Sequence, residues 1–123
     1  MAELDVKESI LNSVKKMIGP SIEYTVFDAD LIMHINSVFN VLRQLGVGPP
    51  EGFSIADDTD LWTDFLPDGP KLNMVKTYMY AKVRLIFDPP QNSTIAQAFK
   101  DVVDEFEFRT RMDTEIPCFI NNE

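Results

Sequence analysis

Apolar residues recur at spacings of three and four in five stretches of this chain, the period of a helix with one buried stripe. Over about residues 5–19 the stripe is Val6, Ile10, Val14, Met17 and Ile18. Asp5 is suited to cap that helix with Glu8 three residues on, and Gly19-Pro20 ends it because proline supplies no N–H. The stretch 28–45 carries a broad apolar face of Leu31, Ile32, Ile35, Val38, Phe39, Leu42 and Leu45, with Asp28 as the expected cap and Gly46 as the residue past its end. A stiff connection, Val47-Gly48-Pro49-Pro50-Glu51-Gly52, follows. A short amphipathic helix over about 57–66 then carries Leu61, Trp62, Phe65 and Leu66, opened by Ser54 and Asp57 in capping-box spacing.

Pro67-Asp68-Gly69-Pro70 is turn chemistry. Beyond it, 71–87 reads as a helix with Leu72, Val75, Tyr78, Met79, Val83, Ile86 and Phe87, halted by Asp88-Pro89-Pro90. A fifth helix over about 93–112 starts at Ser93 or Thr94, with Thr94 and Gln97 in capping-box spacing, and carries Ile95, Phe99, Val102, Val103 and Phe106. No run alternates with period two for long enough to give more than a marginal strand. The fold expected is all-α: a compact bundle of about four to five helices with proline-rich connections and an extended C-terminal tail. The helical domain takes residues 1–112 and the tail 113–123. Ile116, Phe119 and Ile120 make that tail apolar, so it either folds back on its own core or lies on a neighbour.

Composition adds constraints. With 123 residues, 45% hydrophobic and 25% charged, the chain is one ordinary globular domain. Twenty acidic against eleven basic residues leave a net charge of −9, which opposes binding to nucleic acid and to anionic membrane surfaces. No apolar stretch reaches the ~20 residues of a membrane span. The acidic N-terminus lacks the basic and apolar regions of a signal peptide. Cys118 is the sole cysteine, which excludes an intrachain disulfide and fits synthesis in a reducing cytoplasm.

The candidate chemistry is sparse. His34 has no second histidine to share a zinc ion, and a structural place beside Ile35 suits it. Asp57, Asp58, Asp60 and Asp64 lack the glycine and terminal glutamate of a calcium loop, and a solvated helix start accounts for the first three. Cys118 has no neighbouring base, and no serine or glycine run has the setting of a nucleophile or a phosphate loop. No catalytic, cofactor or metal site is expected. The aromatic residues say more. Tyr78 and Tyr80 with Met74 and Met79 make the fourth helix apolar over most of its circumference, which suits a central helix. Trp62 and Phe65 form either a lid on the core or an interface anchor. Phe106 and Phe108 are two residues apart and cannot share a helix face, so one of them faces a partner. The candidate interface is therefore Trp62, Phe65, Phe108, Ile116, Phe119 and Ile120.

The run Phe27-Asp28-Ala29-Asp30-Leu31-Ile32-Met33-His34-Ile35-Asn36-Ser37-Val38-Phe39 resembles the signature helix of the phage head–tail connector family, also called adaptor or head-completion proteins. The resemblance continues through Leu45-Gly46-Val47-Gly48-Pro49, Gly52-Phe53-Ser54-Ile55 and Trp62-Thr63-Asp64-Phe65-Leu66, then from Met74 to Pro90, and covers roughly residues 5–108. It implies a helical virion protein whose copies form a ring, typically of about twelve, beneath the portal protein of long-tailed phages. Such a ring extends the DNA channel and presents a surface to a neck or tail-completion protein. The genome passes through without specific binding, and repeated negative charge on the channel wall would keep it sliding. The location implied is the virion neck after assembly in the host cytoplasm, with no membrane association. The other reading of the same features is a soluble cytoplasmic acidic helical module that binds other proteins.

Overall fold

The computed structural model of the chain describes residues 8–19 and 25–115, the side chains of 113–115 excepted. Among the described residues five helices follow in order: α1 (Ile10–Ile18), α2 (Asp28–Gln44), α3 (Trp62–Phe65), α4 (Pro70–Phe87) and α5 (Ser93–Glu115). The protein is all-α, as the periodicity predicts. Helix α4 packs against α1, α2 and α5, which accounts for its apolar girth. Leu72, Val75, Tyr78, Met79 and Val83 of α4 are buried against Ile10 and Val14 of α1 and Leu31, Ile35, Val38, Phe39 and Leu42 of α2 in one continuous core. Near 25 cal/mol per Å² of apolar surface removed from water, this core is the main source of stability.

The helix ends depart from the sequence expectation in instructive ways. Helix α1 begins at Ile10 with Ser9 as its cap, the Ser9 hydroxyl accepting from the Asn12 N–H at 3.2 Å. Asp5 lies outside the described residues. Asp28 is the first residue of α2 rather than its cap, which is Phe27. Its carboxylate instead meets the ammonium of Lys15 at 2.8 Å, and Lys15 is only 1% exposed. The pair ties α1 to the start of α2, where a negative charge also suits the helix dipole. Gly46 behaves as expected. At φ 85° it lets the Val47 N–H reach Leu42 O (2.9 Å) while its own N–H reaches Arg43 O (3.0 Å), the paired bonds of a Schellman close.

The third helix is a single turn, not the ten residues expected. Side chains intercept the backbone before it can wind: Asp57 accepts from the Thr59 N–H at 2.9 Å, and Asp60 accepts from the Ala56 N–H at 2.8 Å. The Ser54–Asp57 capping box does not form; Asp64 reaches back to the Leu61 N–H at 3.0 Å. Helix α5 is capped by Asn92, whose side-chain oxygen accepts from Thr94 and Ile95 at 2.8 and 3.1 Å. Gln97 donates along the helix to Asp101 instead of closing a box with Thr94. Helix α5 runs to Glu115, three residues past its expected end.

Candidate assembly surface

Helix α5 is held by a narrow seam. Phe106 lies flat on Tyr78, with ring centroids 4.4 Å apart and planes 19° from parallel. Beside the stack the Tyr78 hydroxyl donates to Glu107 Oε2 at 2.7 Å, and Lys82 Nζ meets the same oxygen at 2.9 Å. Burial, reinforced by the hydrogen bond to Glu107 and by its charge, pushes the Tyr78 phenol well above its ordinary range. Burial would also raise the Glu107 carboxyl. The hydrogen bonds from Tyr78 and Lys82, with the charges of Lys82 and Arg111, overcome that and hold it below the usual carboxylate value. Further along, the Arg84 guanidinium sits 5.9 Å from the Phe99 ring centroid.

Apart from Val103 and Phe106, no residue of α5 with a described side chain is fully buried. Phe108 is 61% exposed, Ile95 49% and Val102 38%. The two-residue spacing of Phe106 and Phe108 thus divides them as expected, one into the core and one outward.

Apolar depressions flank the seam, and two of them hold exposed methionines at their edges. One is lined by Met17, Tyr80, Ala81, Arg84, Phe99 and Val102. The other lies between the start of α4 and the later turns of α5, and its lining includes Val47, Lys71, Met74, Phe108, Arg109 and Met112. Met17 and Met74 are about half exposed at these places. Neither methionine was marked by the sequence as an interface residue. The excess of apolar positions on α4 was the signal available for Met74, but only the approach of α5 turns it into the wall of a cleft.

Trp62 and Phe65 take the lid reading and leave the anchor reading without a surface: they are 1% and 5% exposed. The chain pairs antiparallel at Ser9 and Leu61, with Ile10 N–H bonded to Asp60 O at 3.0 Å and Trp62 N–H to Glu8 O at 3.2 Å. That clamp turns the short helix inward. The indole Nε1–H donates to the buried Ser13 hydroxyl at 2.8 Å, and Phe65 packs 4.7 Å from Phe39. Ile116, Phe119 and Ile120 lie outside the described residues, as does Cys118. His34 rests edge-on to Phe87 at 6.2 Å. Among the described residues, no three His, Cys, Asp or Glu side chains are grouped to hold a metal ion. No helix among them is long and apolar enough to cross a membrane.

The sequence model of the family described as phage connector protein matches residues 10–117. No curated protein and no solved structure matches the chain.

Proposed function

The chain belongs to the phage connector protein family, which makes it a structural protein of the virion that contacts other head or tail proteins, and from that premise we propose that its copies form a ring at the head–tail junction. In this reading about twelve subunits sit beneath the portal, extend the DNA channel, and offer a surface to a neck or tail-completion protein. The protein is made in the host cytoplasm, performs no catalysis, and lets the genome pass without specific binding.

The observation that carries the proposal is α5. It spans 23 residues, is bound along one seam, and keeps Ile95, Val102 and Phe108 in water. Apolar residues exposed beside open grooves fit a surface that a partner covers. A ring needs heterologous contacts, with one face of each copy meeting a different face of the next. Contacts through α5, with Phe108 outward and Ile116, Phe119 and Ile120 following it, would provide one of those two faces. The net charge of −9, repeated around a ring, would give the channel wall the sign that repels passing DNA.

Electron microscopy of the purified protein mixed with its portal tests this directly. The expected result is an added ring of density, coaxial with the portal, and a complex mass that fixes the copy number. Portals left bare by an excess of folded protein would refute the ring.

A further inference from the structure

We propose that the segment Ile116–Ile120 folds back along its own subunit and fills the cleft between the last turns of α5 and the start of α4. The cleft measures ≈ 620 Å³, and its wall includes Val47, Met74, Phe106, Phe108 and Met112. Among the described residues, the charged ones lining it are Lys71 and Arg109, both basic in a chain of net charge −9, with Arg109 also paired to Glu105 at 2.7 Å. The charges carried by residues 113–123 are Asp113, Glu115 and Glu123, all acidic. An apolar segment flanked by acids thus meets an apolar cleft flanked by bases.

Reach supports the same occupant. Met112 lines the cleft one turn before the tail begins. Pro117 cannot extend the helical hydrogen bonding and disfavours helix at the residue before it, so the direction can change directly after Glu115, where the helix ends. Met74 lies beside Phe106 and Arg109, and six residues of helix back from Glu115 to Arg109 span about 9 Å. Three extended residues from Glu115 to Cys118 cover about 10 Å, which brings Cys118 level with Met74. A segment tethered at the lip of its own cleft has an effective concentration on the order of millimolar, well above what free copies offer one another in dilute solution. Seated there, the tail widens the face that α5 presents. The proposal holds whether or not copies assemble into a ring.

The natural Cys118 provides the test. In a Met74→Cys variant of the full chain, dissolved oxygen with a copper catalyst takes two electrons from the two thiols to form a disulfide. The expected product is a single chain with a 74–118 link, found by mass and peptide mapping at a rate independent of protein concentration. The control is Gln97→Cys: 18 helical residues separate Gln97 from Glu115, about 27 Å, so Cys118 cannot reach it within one chain. At dilute concentration the Met74→Cys link should form at least about tenfold faster than any link in the control. Links only between chains, slowing on dilution, would overturn the proposal, and so would folded Met74→Cys protein whose thiols stay reduced. Amide exchange in the unaltered chain gives an independent check. Exchange at Phe119 and Ile120 about tenfold or more slower than in an unstructured peptide is expected, and unprotected amides there would also refute it.

Discussion

Tyr78 and Phe106 lie face to face, 4.4 Å between ring centroids, and among the described side chains of α5 only Phe106 and Val103 are buried in the core. The attachment of a 23-residue helix therefore depends on a few side chains. Phe106→Ala should cost about 3–4 kcal/mol, from lost burial, an unfilled space over Tyr78 and the lost stack. Ile95→Ala, on the same helix but about half exposed, should change stability by no more than about 0.5 kcal/mol. Urea unfolding of the two variants at equal concentration checks the contrast. Similar losses would mean that α5 does not dock through Phe106.

The carboxylate beside this stack makes the attachment sensitive to acid. The folded state holds the Glu107 carboxyl below its ordinary value near 4.5, through Tyr78, Lys82 and Arg111 against the effect of burial. A group whose folded pKa is lowered contributes stability above the unfolded pKa and loses it as pH falls through the folded one. The contribution should thus be complete at neutral pH, start to fall near pH 4.5 and be lost as pH drops through the lower folded pKa. Glu107→Gln should flatten that part of the stability–pH curve and cost about 1 kcal/mol at pH 7. Titration of the unfolding midpoint from pH 7 to pH 3 in both proteins decides it.

Much of the fold is legible in the sequence because the stripes of α1, α2, α4 and α5 are long enough to establish a period. Gly46 and the Phe106/Phe108 division were readable for the same reason: each follows from local geometry. The failures lie where local options compete. Asn92, Ser93 and Thr94 are consecutive cap formers, and sequence alone does not rank them. Asp57 and Asp60 suit a helix start and a side-chain-closed turn equally well, and the turn won. The Lys15–Asp28 pair and the cleft at Met74 require two helices to meet, which no local pattern specifies. Trp62 illustrates this most clearly. Its amphipathic setting permits lid or anchor, and the decision comes from a backbone pairing at Ser9 in another part of the chain.

Asn36 is another such tertiary contact, and it can be tested. From the middle of α2 its side chain donates to Ile55 O at 3.1 Å and accepts from the Ile55 N–H at 2.8 Å, fastening the extended segment after the proline-rich loop. Asn36→Ala leaves both backbone groups of Ile55 without that partner and should cost about 2 kcal/mol. Asn36→Asp keeps the acceptor but turns a carboxylate oxygen toward Ile55 O in place of the donor, so it should be destabilising as well. If both variants unfold at the midpoint of the unaltered protein, Asn36 does not fasten this loop.

Gly48 controls the same loop from the other side. Its φ is +87°, and a Cβ there would fall on the Phe65 ring. Gly48→Ala combines left-handed backbone strain with displacement of a buried aromatic ring and should cost more than about 2 kcal/mol. Gly69→Ala meets no atom within 4 Å and carries the backbone cost alone, about 1 kcal/mol. Thermal unfolding of the two variants should preserve that order. A reversal would show that Phe65 yields easily.

The exposed side of α5 makes the last prediction, and it separates assembly from folding. Ile95 and Val102 are solvent-exposed in the single subunit, so replacing them with acids removes no core contact. Ile95→Asp and Val102→Glu should leave the stability of the unaltered protein unchanged within about 0.5 kcal/mol. If α5 faces a neighbouring copy or the portal, the same changes place a charge in an apolar contact, where an unpaired ion costs several kcal/mol. At one site per subunit that penalty recurs at every joint of a ring. Sedimentation of each variant with the portal should then show free, folded subunits where the unaltered chain co-sediments. Full co-sedimentation of both variants would place the joint elsewhere on the molecule.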